Sequence, residues 1–205
     1  MCIRDRNRPF FTEGADLFKI VDRASFRGGS FFYSRRIGQR TSINEDEILN
    51  DGDQLLSYDE TPKLLNSIKL TGTTNNNLSI GFINAITDKS YALIRENNDN
   101  IRKELITPLT NFNVLSLSQK IINDYSSIGF INGSLNRESS FEDANNYAFM
   151  ANIFDDKRAF SFKGYYYKTY SPRLSQRSGQ RKIITIEELK GNFRYWLHVH
   201  AADRY

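Results

Sequence analysis

A chain of 205 residues can bury one sizeable core, and an aromatic content of 13%, with 15 Phe and 11 Tyr, weights it toward strands. A net charge of +4, with Lys and Arg spread along the chain, gives no nucleic-acid footprint, and a single cysteine, Cys2, excludes an intrachain disulfide and a cysteine metal knuckle. No apolar run reaches the ~18 residues of a membrane helix, which leaves a transmembrane β-barrel open, because a barrel hides its apolar face in every second residue.

Met1-Cys2-Ile3-Arg4-Asp5-Arg6 resembles translated sequencing adapter, so residues 1–6 are set aside from fold reasoning. The natural start is then expected upstream, with a signal peptide. Residues 7–62 read as an irregular linker or plug. Ala15 to Arg23 predicts a short helix, broken by Arg27-Gly28-Gly29-Ser30, which lacks the Lys-Ser/Thr of a phosphate loop. Ser30 to Ile37 predicts a strand ending in Arg35-Arg36, and Thr41 to Asp59 predicts an acidic, solvated loop with at most a helical turn.

Residues 63–205 read as strand after strand. Ser79-Ile80-Gly81-Phe82-Ile83-Asn84-Ala85 returns 48 residues later as Ser127-Ile128-Gly129-Phe130-Ile131-Asn132-Gly133. The same strand used twice is the mark of an up-and-down antiparallel meander. Strands are expected near 64–74, 78–94, 101–121, 126–136, 145–154, 159–170, 181–189 and 192–204. The connections between them read as alternately short and long, the pattern of periplasmic turns and external loops in an outer-membrane barrel.

Alternation within the strands points the same way. Phe160, Phe162, Gly164, Tyr166 and Tyr170 oppose Ser161, Lys163, Tyr165, Tyr167 and Thr169. Further on, Phe193, Tyr195, Leu197, Val199 and Ala201 oppose Arg194, Trp196, His198 and His200. Apolar residues on one face and polar or small ones on the other fit lipid outside and a wet lumen inside, or the half-buried sheet of a soluble sandwich. The lumen-facing candidates are Arg35, Arg36, Lys69, Lys163, Arg194, His198 and His200; the arginines and lysines among them would bias a pore toward anions. His198 and His200 have a spacing that can share a metal, but no third ligand converges on them, so no metal or other cofactor is expected. Glu187 and Glu188 point to opposite faces and make no carboxylate pair for glycoside chemistry; no Gly-x-Ser-x-Gly elbow is present. The reading is not an enzyme.

Several runs together resemble a family of uncharacterised outer-membrane barrels from Gram-negative bacteria. They are Arg8-Pro9-Phe10-Phe11-Thr12-Glu13-Gly14 with Phe18, Phe31-Phe32-Tyr33-Ser34-Arg35-Arg36-Ile37-Gly38, and Lys69-Leu70-Thr71-Gly72. Thr107-Pro108-Leu109-Thr110-Asn111-Phe112-Asn113-Val114-Leu115 and Lys190-Gly191-Asn192-Phe193-Arg194-Tyr195 complete the set. The resemblance implies an all-β chain forming part of a transmembrane β-barrel, preceded in the family by a signal peptide and a sugar-binding-like β-sandwich. The implied location is the outer membrane, the implied partners are its lipid and a polar solute, and the family's companion module makes that solute a saccharide. With about eight strands in this stretch, the sheet is expected to stay open, without pairing of Leu64 to the final strand. The alternative is a soluble, secreted β-sandwich or meander that binds glycan.

Overall fold

A computed structural model describes residues 15–18, 37–138, 141–171, 178–191 and 195–204. Its strands are β1 (Gln54–Tyr58), β2 (Leu64–Thr73), β3 (Leu78–Thr87), β4 (Ser90–Arg95), β5 (Ile101–Thr107) and β6 (Thr110–Lys120). They continue with β7 (Ser127–Arg137), β8 (Ala144–Phe154), β9 (Phe160–Tyr170), β10 (Ser178–Glu188) and β11 (Trp196–Arg204). Eight form one antiparallel sheet in the order β11-β10-β9-β8-β7-β6-β3-β2, and β1-β4-β5 form a second. The large sheet is an up-and-down meander with β2 and β11 at its two edges, so the expected open, all-β architecture is present.

Three expectations change. The strands expected at 78–94 and 101–121 are each broken, into β3 and β4 and into β5 and β6. Pro108 lies at the second break, where a residue without an N–H cannot continue a ladder. On the outgoing limb, β3 pairs with β2 as far as Leu64↔Thr87, and β4 then takes β1 as its partner from Tyr58↔Ala92. The stretch read as a solvated loop therefore contributes β1, together with one helical turn, Glu45–Ile48. The alternation of short and long connections also fails. Segments 74–77, 121–126, 155–159 and 189–195 lie at one end of the large sheet, and 138–143 and 171–177, of similar length, at the other. Only 88–109, which carries β4 and β5, is a long excursion. The predicted strand at Ser30–Ile37 lies outside the described residues except for Ile37, and of the predicted Ala15–Arg23 helix the described part is a single 3-10 turn, Ala15–Phe18.

Register divides the large sheet into two faces. The inner face carries the core: Ile83, Ala85, Val114, Ile131, Ala148, Tyr165 and Ile183, with Phe18 and Ile37 packed over it. Burial of Phe18, 3% exposed, is worth about 2–3 kcal/mol. Its ring fits because Gly81 has no side chain: a Cβ there would lie 2.8 Å from Phe18 Cζ. Ser116 Oγ also donates to the Leu17 carbonyl. The second copy of the repeat uses its glycines in the same manner. Met150 fills the space above Gly129, and Asn146 that above Gly133, which accounts for glycine where the first copy has Ala85.

The outer face carries a pair of apolar residues on every strand: Ile68 and Leu70, Ile80 and Phe82, Leu115 and Leu117, Ile128 and Phe130 on β2, β3, β6 and β7. Phe149 and Ile153, Phe160 and Phe162, Ile184 and Ile186, and Leu197 and Val199 continue it on β8 to β11. These pairs follow the hydrogen-bonded rows only between some neighbours, such as β3 with β6 and β10 with β11. The row that begins Leu70, Phe82, Leu115 runs on through Asn132, Tyr147, Lys168, Gln180 and Asp203. The row holding Ile184 and Val199 begins at Leu78 and runs through Gln119, Ile128, Ala151 and Gly164. Averaged from β2 to β11 the belt moves along the strands by about one residue per strand, the ratio that goes with a strand tilt of ~36° in a closed barrel, but unevenly: β3 and β6 are level, and β10 and β11 share rows set back from β9.

The repeat shows the same stagger independently. Gly81 is level with Ser116 and Ile131, and Ile83 with Val114 and Gly133, so equivalent residues of the two copies sit two positions apart across two strand steps. Beyond the belt the outer face is mostly polar, with Ile86 apolar. Asn84 Nδ2 donates to Asn111 Oδ1 and Asn113 Oδ1, each at 2.7 Å, and Tyr147 and Tyr166 stand at the boundary, their rings 6.3 Å apart.

In the small sheet, Arg102 ties the preceding chain down. Its guanidinium donates to Asp53 Oδ2 at 3.0 Å, to the Ile48 carbonyl and to Glu104 Oε2 at 3.1 Å. The Asn50 backbone N–H, followed by Arg102, holds the Asp53 carboxyl below its ordinary value.

Two outcomes follow from these contacts. Gly81→Val displaces Phe18 and costs about 1–3 kcal/mol by overpacking, whereas Gly72→Ala, with open space around it, is tolerated; thermal melts of the two variants check the contrast. Because Asp53 is depressed in the folded state, its contribution is complete above the unfolded value of ~3.9 and is lost as pH falls through the lower folded value. Amide protection factors in β1 should therefore hold from neutral pH to about 4 and drop below it, with Arg102→Met lowering them already at pH 5.

Candidate functional site

The inner face is not uniform. Its β2–β3–β6 half lies under Leu17 and Phe18, while on β8 to β11 it carries polar side chains bonded to one another. Direct pairing across the sheet places Phe154, Ser161, Glu187 and Trp196 in one row, and Asn152, Lys163, Thr185 and His198 in the next. Glu187 Oε2 accepts from Ser161 Oγ at 3.0 Å and from Lys163 Nζ in a close ion pair. Tyr165 donates its hydroxyl to Asn152 Oδ1 at 3.0 Å. Thr185 Oγ1 and His198 Nδ1 are 3.0 Å apart, and Arg181 Nε donates to His200 Nε2 at 2.8 Å.

An open cavity of ≈750 Å³ lies over the two rows, within the size range of small-molecule sites. Its floor is strand residues; its rim comes from three successive connections, which contribute Tyr125, Arg158 and Tyr195. Those connections are fastened to their neighbours. Asn123 Nδ2 donates to the Phe154 carbonyl, the Leu189 N–H to Ala159, and Lys190 Nζ to Lys157. The Arg158 guanidinium lies 4.6 Å from the centre of the Tyr125 ring. In the same turn the Phe160 N–H, then those of Ala159 and Lys157, hold the Asp155 carboxyl below its ordinary value.

The predicted site residues are distributed as follows. Lys163, His198 and His200 share the inner face of β9 and β11, and Lys69 lies on the inner face of β2, its Nζ 5.9 Å from the Phe18 ring centre. Lys163 is ion-paired with Glu187, which neutralises its charge. His200 Nε2 is occupied by the Arg181 proton, which leaves that nitrogen no lone pair for a metal shared with His198. Arg35, Arg36 and Arg194 lie outside the described residues. Sequence reasoning missed Asn152, Tyr165 and Trp196 as neighbours of Lys163, and Glu187 as its partner. Alternation gives each residue's face, but the neighbours depend on register across the 171–177 and 189–195 connections, which alternation does not specify.

The fold and this face define an antiparallel up-and-down sheet with a polar inner cleft and an apolar outer belt. The chain belongs to the family described as "Domain of unknown function (DUF5916)", whose profile matches residues 4–205. That match begins within the first six residues, the stretch that resembles adapter. Neither the curated proteins nor the solved structures compared with the chain contain a match.

The Lys163–Glu187 pair is mostly shielded, so Lys163→Met and Glu187→Gln should each cost about 1–3 kcal/mol by stranding the partner. The double variant should lose less than the sum of the two, which a denaturant-unfolding double-mutant cycle measures.

Proposed function

We propose that this chain forms a segment of an outer-membrane β-barrel of a Gram-negative bacterium, working in the passage or surface binding of a polar solute, with saccharide as the class implied by the resemblance. The observation that carries the reading is the staggered belt. A lipid slab cuts tilted strands at a constant height, so the residues facing it shift along each successive strand. The outer apolar pairs drift in that direction from β2 to β9, with β3 and β6 level and β10 and β11 set back to a common row, and the Ser-Ile-Gly-Phe-Ile-Asn repeat moves with them. Tyrosines at the belt's polar edge, Tyr147 and Tyr166, suit the headgroup boundary. On the inner face the described residues offer paired and hydrogen-bonded side chains in place of a nucleophile with its base, so no reaction is proposed.

One observation favours the second reading, a soluble secreted sheet that binds glycan. On β8 and β9 the belt runs from Tyr147 to Ile153 and from Phe160 to Tyr166, roughly 20 Å along the strand at ~3.3 Å per residue. That is shallower than the ~25 Å band of known outer-membrane barrels.

The two readings part on a charge placed in the belt. Under the membrane reading Ile184→Arg costs about 2–4 kcal/mol of insertion, while Asn136→Arg, on the polar part of the same face, costs little. Folding into lipid vesicles, followed by flotation and heat-dependent gel mobility, measures both. Equal behaviour of the two variants, or failure of the parent chain to float, would favour the soluble sheet.

A further inference from the structure

We propose that the outer face binds a phosphorylated glycolipid at the edge of its belt, with Lys168 and Lys182 meeting the phosphate and the asparagines beyond them the sugar. The proposal rests on the membrane reading and adds which lipid the belt recognises.

The side chains on this face follow the cross-section of such a lipid. Along β8 the outer residues run Ile153, Ala151, Phe149, Tyr147 and Asn145, and along β9 Phe160, Phe162, Gly164, Tyr166 and Lys168. Acyl chains lie on the first three of each. Tyr147 and Tyr166, their rings 6.3 Å apart, mark the headgroup boundary.

Two cations stand at that boundary. Lys168 pairs with Tyr147 and Gln180, and Lys182 with Tyr166, so the two lysines are diagonal neighbours on β9 and β10. Their Cα atoms are about 7–8 Å apart, a spacing from which two long stems converge on one phosphate. Lys182 is level with Phe149, so its stem can lie along the belt while its ammonium reaches the boundary. Among the described residues neither lysine forms an ion pair. Asp203, the acid next to them in register, accepts from Gln180 Nε2 at 2.7 Å.

A phosphate alone does not account for what lies beyond. Asn84, Asn113, Ser134 and Asn145 occupy one row over β3, β6, β7 and β8, with Asn111 and Asn136 in the next. Asn84 Nδ2 gives its hydrogens to Asn111 Oδ1 and Asn113 Oδ1. The amino groups of Asn111 and Asn113, and the side-chain amides of Asn136 and Asn145, make no bond among the described residues. Uncharged groups that donate and accept suit sugar hydroxyls, of which a phospholipid headgroup carries few. The same end of the large sheet carries 88–109, its longest excursion, and the longer connections of outer-membrane barrels face outward. The lipid is therefore one of the outer leaflet.

Native mass spectrometry tests this on the folded full chain in a zwitterionic detergent, with diphosphoryl lipid A, phosphatidylglycerol and phosphatidylcholine at equal mole fractions. Lipid A should be retained at least fivefold over either phospholipid. Lys168→Gln with Lys182→Gln should lower its retention at least fivefold. Asn113→Ala with Asn145→Ala should bring lipid A down to the level of phosphatidylglycerol without changing the latter. Lys120→Gln with Lys157→Gln, which removes the same charge at the other end of the sheet, should change nothing. Circular dichroism confirms that each variant keeps its strands. Equal retention of lipid A and phosphatidylglycerol by the parent, no loss in the Lys168 and Lys182 variant, or an equal loss in the Lys120 and Lys157 variant would overturn the proposal. Flotation with vesicles of phosphatidylcholine alone tests the membrane reading separately. A chain that floats but shows no preference for lipid A sinks this site and leaves that reading standing, whereas a chain that does not float removes both.

Discussion

The register of the antiparallel ladder is the constraint from which the rest of this structure follows. Side chains alternate with period two, so a slip of one residue in any hairpin would send Ile131, Ala148 and Ile183 outward and Phe130, Phe149 and Ile184 inward. Both faces oppose such a slip. The inner one would lose its contact with Phe18 and Ile37, and the outer one would interrupt a belt that continues over all eight strands. The glycines at 81, 129 and 133 reinforce the register, because each has a particular neighbour, Phe18, Met150 or Asn146, in the space a side chain would fill.

Given that register, the stagger of the belt acquires its meaning. A sheet that only packs a core has no reason to let its outer apolar pair drift along the strands. A sheet whose strands tilt through a layer of fixed height must do so. The repeat is the most economical expression of this: one heptapeptide, placed on both sides of β6 and displaced by two residues, presents the same side chains at the same height. The strand order leaves β2 and β11 as the two edges, where one side of each ladder has no strand to pair with.

The inner face combines two environments that would conflict if they overlapped. Apolar side chains need a cover, which Leu17 and Phe18 supply on the β2–β3–β6 side. The Lys163–Glu187 pair needs hydrogen-bonding partners, which Ser161 provides beneath an open cavity. Separating them along the sheet lets one face hold both a core and a polar cleft.

Much of this was legible in the chain itself. The aromatic and β-branched alternation and the repeat were enough to specify an antiparallel, all-β meander, its openness followed from the family resemblance, and the faces of Lys163, His198 and Phe162 could be read from parity alone, because period two is a local property. What lay beyond reach was non-local. No pattern in 78–121 announces that one hairpin serves two sheets, since that depends on β1 and β2 exchanging places along its flank. Nor does parity disclose that Lys163 meets Glu187, or that Trp196 stands beside that carboxylate, because strand order and register decide which inward side chains are neighbours. The sequence by itself determined which residues face which way; the tertiary structure decided which of them meet, because contact across a sheet joins residues that the chain keeps far apart.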